Sequence, residues 1–227
     1  MAATNGGNSG ANVTNHTFNL PTGIASDDLL IIIASFDAVP TVTWPSGWTQ
    51  LIHTATTNNF ATFDVYYRIA DGTEGSTITV TTSTSEGSAH TSYRITGYQG
   101  TPEVCTVVVA NTNVPNPCSL SPSWGADDTL WLAVMGYNGN HSISAFPTNY
   151  SNTISNRWAS SNGTGVGSGE RQLNAASEDP GTFTISASND TAASTLAVRG
   201  AAAGADQPPL RRQMLAQRPS GTRPAGR

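Results

Sequence analysis

Four histidines, His16, His53, His90 and His141, are the side chains best suited to acid–base chemistry here, and they are dispersed along the sequence. None adjoins a nucleophile motif: no Gly-x-Ser-x-Gly, His-Glu-x-x-His or phosphate-binding loop is present. The acidic pairs Asp27-Asp28, Asp127-Asp128 and Glu178-Asp179 offer oxygen ligands but lack the alternating spacing of a calcium loop. Side chains that cap the turn before a buried strand explain these pairs equally well. Gly163, Gly165, Gly167 and Gly169 alternate, yet no helix signal and no Lys follows, as phosphate binding would require. That series reads as a flexible loop or as a strand with packing gaps. Cys105 and Cys118 could close one disulfide or stand as two reduced thiols, and no second Cys or His pair has metal-ligand spacing. The expectation is a chain with no enzymatic activity, no metal and no cofactor.

Trp44, Trp48, Trp124, Trp131 and Trp158, with Tyr66, Tyr67, Tyr98 and Tyr137, could include a platform for stacking sugars. Aromatics are equally the ordinary core and rim of a sheet protein. Trp48 follows a Pro-x-Gly turn, which favours packing for that residue.

These side chains must be positioned by sheets. Only 11% of the 227 residues are charged, while Thr, Ser and Asn crowd segments that also carry apolar runs such as Leu29–Ile33. Such a composition, punctuated by Gly and Pro, predicts strands. The expected strands are 13–20, 28–36, 48–55, 61–69, 76–82 and 88–97, then 104–110. A second set follows at 118–121, 129–137, 150–156, 165–174, 182–187 and 193–199. Residues 76–82 alternate polar and apolar, as a half-buried strand does, whereas Leu29–Ile33 suits a central strand covered on both faces.

The two sets repeat. Ser26-Asp27-Asp28-Leu29-Leu30 has a counterpart 100 residues on, in Ala126-Asp127-Asp128-Thr129-Leu130. Pro45-Ser46-Gly47-Trp48 answers to Pro147-Thr148-Asn149-Tyr150, Ile78 to Phe183, and Arg94-Ile95-Thr96-Gly97 to Ala197-Val198-Arg199-Gly200. An ordered set of matches implies an internal duplication, units about 12–100 and 112–200, forming one antiparallel jelly-roll-like β-sandwich over residues 1–204. Leu30 and Leu130 are expected at matching buried positions, as are Ile78 and Phe183.

Residues 205–227 differ in character. Residues 1–204 carry fourteen acids against five Arg, and 205–227 carry five Arg against one acid; the chain contains no Lys. An acidic body argues against nucleic acid as partner. Leu210, Arg211, Arg212, Met214, Arg218, Arg223 and Arg227 are expected to form an extended assembly arm, the apolar residues anchoring it and the Arg residues pairing with carboxylates. The first residues have no basic and apolar signal-peptide regions, and no apolar stretch approaches the ~18 residues of a spanning helix. A protein made in the cytoplasm, with no membrane contact, is expected.

The body resembles β-sandwich virion proteins of tailed bacteriophages. The residues that carry the resemblance are Asp28-Leu29-Leu30-Ile31-Ile32-Ile33, Trp44-Pro45-Ser46-Gly47-Trp48-Thr49-Gln50-Leu51 and Tyr67-Arg68-Ile69-Ala70-Asp71-Gly72-Thr73-Glu74. In the second half they are Asp128-Thr129-Leu130-Trp131-Leu132-Ala133 and Ala175-Ala176-Ser177-Glu178-Asp179-Pro180-Gly181-Thr182-Phe183. The resemblance implies a virion component that decorates or stabilises the capsid exterior. Its partners would be the major capsid protein, other virion proteins and further copies of the chain. The alternative is a tail or fibre domain that binds host-surface polysaccharide.

Overall fold

Sixteen strands make up the regular structure of residues 2–201, the part of the chain that the computed structural model describes, and no helix occurs among them. In the first half they are β1 (Ala2–Asn8), β2 (Val13–Asn19), β3 (Leu29–Asp37), β4 (Val42–Thr43), β5 (Thr49–Ala55), β6 (Ala61–Ile69), β7 (Thr77–Glu86) and β8 (Ser88–Ile95). In the second they are β9 (Glu103–Val104), β10 (Val108–Thr112), β11 (Asp127–Asn138), β12 (Ile143–Ala145), β13 (Ser151–Trp158), β14 (Thr164–Ala175), β15 (Thr184–Ile185) and β16 (Asn189–Arg199). The all-β, antiparallel architecture expected from composition is present.

The strands form four layers. A five-stranded sheet, β1-β8-β3-β6-β5, is backed by β2-β7-β4. A second sheet follows the path β10-β16-β11-β14-β13, with β9 added on β16, and is backed by β12-β15. The two large sheets share one core: Leu29, Ile31, Ile33 and Phe63 meet Leu130, Leu132, Val134 and Leu196. Their outer faces bury separate clusters, Ile32 and Phe36 against Phe18 and Val80, and Met135 and Tyr137 against Phe183 and Ile185. This layering explains why β3 and β11 are nearly continuously apolar: each is covered on both faces.

The ladders correct the residue matches. Leu29 and Leu130 both face the shared core, whereas Leu30, next in the strand to Leu29, points to the opposite face. The equivalence is therefore Leu29 with Leu130, one residue away from the expected Leu30. Likewise Val42 pairs with Thr82 and Ile143 with Ile185, which aligns Phe183 with buried Val80 rather than with half-buried Ile78. The Leu30 mismatch is a slip of one residue, which changes the face, and the Ile78 mismatch is a slip of two, which keeps it; similarity of sequence alone resolves neither.

Two other expectations change. Strand 118–121 is reduced to a single bridge, Leu120 with Glu178, and 104–110 is split into β9 and β10. β1 was not expected from its Ala-Ala-Thr-Asn-Gly-Gly-Asn sequence; it pairs with β8 along its whole length. It occupies the sheet edge that β10 takes in the second half.

Candidate functional site

The expected arm residues Leu210, Arg211, Arg212, Met214, Arg218, Arg223 and Arg227 lie outside the described residues. Cys105 and Cys118 are bonded, their Cα atoms 6.1 Å apart, closing the segment that leads from β9 through β10. The acidic pairs are held in the framework. Asp28 accepts from the Arg94 guanidinium at 2.5 Å and from the Ala25 N–H at 2.7 Å. Asp127 pairs with Arg199 at 2.8 Å, and Glu178 with Arg171 at 2.8 Å.

The alternating glycines are a strand with packing gaps. A Cβ at Gly165 would sit 2.3 Å from the Tyr137 ring, and one at Gly167 would sit 2.3 Å from Ile143 Cδ1. Their absence lets the second outer layer settle directly on β14.

Most of the aromatics are packing residues. Trp131 is fully buried, with its indole N–H donating to the Leu173 carbonyl. Trp124 donates to Thr129, and Trp158 lies flat on Gly87, where a Cβ would be 1.8 Å from its ring. Trp44 stacks on Tyr66 at 4.1 Å, flanks Trp48, and donates its N–H to buried Asp64.

The histidines form no nucleophile–base pair. His16 is wedged between the Ser88 and Thr82 hydroxyls, and His90 accepts the Asn19 N–H; burial pushes each down to about 4. His53 bonds Asp64 at 2.7 Å, which holds its pKa above the usual value. His141 lies 3.4 Å from the Ser186 hydroxyl, but its Nε2 accepts from the Asn189 amide. Its proton is therefore on Nδ1, toward Ser186, so it is not placed to act as a base there.

One end of the sandwich opens into a cleft of about 550 Å³ between the halves. The first half lines it with Asp37, Asn59, Phe60 and Glu86, from the ends of β3 and β7 and the β5–β6 turn. The second half supplies Asn138, Asn162 and Asn189. Burial, with Glu86 nearby, pushes the Asp37 carboxyl up to about 6, although the Ala38 N–H bonds it. Phe60 is 56% exposed. The turn that carries Phe60 is fixed from the other half, because buried Asp190 accepts from the Asn58 N–H at 2.9 Å and from its amide at 2.7 Å. Sequence reading missed this cleft; the faint signal was Asp37 and Glu86 closing strands whose counterparts meet Asn138 and Asn189.

In comparisons with known proteins, no family model, no curated protein and no solved structure matches the chain.

Proposed function

We propose that the chain is a non-catalytic structural protein of a bacteriophage particle, decorating or stabilising the capsid exterior. The observation that supports this reading is the order of the large sheets, β1-β8-β3-β6-β5 in the first half and β10-β16-β11-β14-β13 in the second. The β1-β8-β3-β6 path backed by β2-β7-β4 follows the order of an eight-stranded jelly roll, an architecture common in capsid and lectin domains, except that β5 joins β6 rather than β4. In this reading the two halves are products of duplication, and their shared core makes one rigid plate with two outer faces. The Cys105–Cys118 bond suits a particle exposed to oxidising surroundings. The Arg-rich segment 205–227 serves as the arm, docking on an acidic groove of a sister copy or of the major capsid protein.

Incubating the full chain, and a version ending at residue 204, with tailless DNA-filled heads tests this. The full chain should co-sediment with the heads and lose attachment as salt rises, since exposed ion pairs contribute only ~0.2–1 kcal/mol each. The shortened chain should bind far less. Equal attachment of both would remove the arm from the proposal, and attachment of neither would remove the capsid.

A second reading, a tail or fibre domain holding host polysaccharide, is favoured by the end cleft, whose amide and carboxylate lining suits a hydroxyl-rich ligand better than the packed tryptophans do.

A further inference from the structure

The ladders make the cleft lining a set of paired positions. Ala34 lies opposite Asp64 and Met135 opposite Gly167, which equates Asp37 with Asn138 and Ala38 with Gly139. The same register equates Asn59 with Asn162 and Glu86 with Asn189. All eight residues line this one cleft. Where the first half ends β3 and β7 in carboxylates, the second ends β11 and begins β16 in amides.

We propose that this cleft is a saccharide site. Asp37 and Glu86 accept hydroxyl protons, the opposing Asn side chains bond ring and hydroxyl oxygens, and Phe60 covers a C–H face of the sugar. This deepens the second functional reading and rests on it.

The lining selects the ligand class by elimination. It contains two carboxylates and no Arg, Lys or His, so its charge disfavours a phosphate or carboxylate. Phe60 and Ala38 are the apolar side chains lining it, too few for a lipid or an aromatic cofactor. Groups that accept only, beside groups that both donate and accept, match vicinal hydroxyls, which also do both. A volume near 550 Å³ falls within the ~300–1,000 Å³ of small-ligand sites. Asn138 and Asn189 are partly engaged, Asn138 donating to Asn189 at 3.4 Å and Asn189 to His141 at 2.9 Å. Those bonds orient the two amides and leave the Asn138 oxygen unengaged.

The rim is pre-organised. Ala38 and Asn59 hold φ values of 58° and 62°, a left-handed conformation that is costly for Ala. Each is tied in place: the Ala38 N–H donates to the Phe60 carbonyl at 2.9 Å, and the Asn59 N–H donates to Thr56 at 3.0 Å. With Asp190 anchoring Asn58, the aromatic and amide rim is rigid before any ligand arrives, which lowers the ordering cost of binding.

Saturation-transfer NMR on the full chain, with glucose, galactose, mannose, N-acetylglucosamine and their β-linked disaccharides at ~10 mM, reads a weak site of this kind directly. At least one sugar should show transfer, and Phe60→Ala and Glu86→Gln should each weaken it by about tenfold. Phe60→Ala should leave the melting temperature unchanged, because the ring is largely exposed. Silence from the whole panel, transfer unaffected by both substitutions, or transfer abolished by a calcium chelator would each overturn the proposal. Binding of the full chain and of the same variants to host cells, measured in parallel, separates the two failures: cell binding that survives both substitutions removes this cleft and keeps the polysaccharide reading, and absence of cell binding by the full chain removes that reading.

Discussion

On the outer face of the first large sheet, β6 presents Thr62, Asp64 and Tyr66; at matching ladder positions of the second, β14 presents Gly165, Gly167 and Gly169. The first half fills its gap with side chains: Tyr66 stacks under Trp44, and Asp64 takes bonds from Trp44 and His53. The second half empties its strand so that Tyr137, Ile143 and Tyr150 can come down onto the backbone. The outer layers differ accordingly, three strands in the first half and two in the second. One strand order is thus compatible with opposite distributions of volume, provided each layer compensates the other.

The largest effect should come from reversing that distribution. Gly167→Val would drive two methyls into Ile143 and Met135 and should cost about 3 kcal/mol or more, or prevent folding. On the corresponding strand of the first half, Thr62→Val, at the position that matches Gly165, loses one hydrogen bond, to the Ala38 carbonyl, and should cost about 1 kcal/mol. Urea unfolding of both variants measures the contrast; equal costs would show that the glycines are not spacers.

The disulfide belongs to the second half alone. Replacing Cys105 and Cys118 with Ser together should cost about 3 kcal/mol, given the short loop that the bond closes. Hydrogen exchange should place the weakening in β10 and β16 while β3 and β6 keep their protection.

Acid should act on the first half, which alone buries His16 and His90. Both are lowered to about 4 when folded, so the unfolded chain binds protons more tightly. Their contribution is complete above pH 6.5 and is lost as pH falls toward 4, up to ~3 kcal/mol each. His53, held high by Asp64, works against this in the same half, and so does Asp37, raised to about 6. His90→Gln, whose amide oxygen can still accept the Asn19 N–H, should flatten the acid limb of a stability–pH curve. An unchanged limb would assign the loss elsewhere.

Periodicity made much of this fold legible. Leu29–Ile33 announces a strand covered on both faces, and the turn residues between runs place most strand ends within two or three residues. The edge strand β1 stayed hidden because Ala, Asn and Gly have little intrinsic preference for strands, and its order comes from pairing with β8. The one-residue error at Leu30 arose because both faces of β3 are apolar, so the pattern carries no mark of face. The cleft was illegible for another reason. Its residues are spread from Asn12 to Asn189, in turns and at strand ends, and only the packing of two sheets gathers them.

The smallest predicted effect tests the carboxylate-for-amide exchange at the cleft. Asp37 is half-buried beside Glu86, and a folded pKa near 6 means that its ionised form is disfavoured in the native state. Above pH 6 that charge opposes folding; below pH 4 the side chain is neutral in both states and the penalty vanishes. Asp37→Asn keeps an oxygen for the Ala38 N–H and removes the charge. It should therefore stabilise the chain by about 1 kcal/mol at pH 7.5, after allowance for solvent screening, and by nothing at pH 4. Asn138→Asp makes the opposite exchange, adding a third carboxylate and placing an acceptor against the Asn189 oxygen. It should cost about 1 kcal/mol at pH 7.5 and less at pH 4. Combining the two substitutions should bring stability back toward the parent, because the charge is moved across the cleft rather than added. Chemical denaturation at the two pH values decides the matter: if Asp37→Asn has no effect that depends on pH, the two carboxylates do not share a desolvated cleft, and the difference between the halves at this end is one of sequence alone.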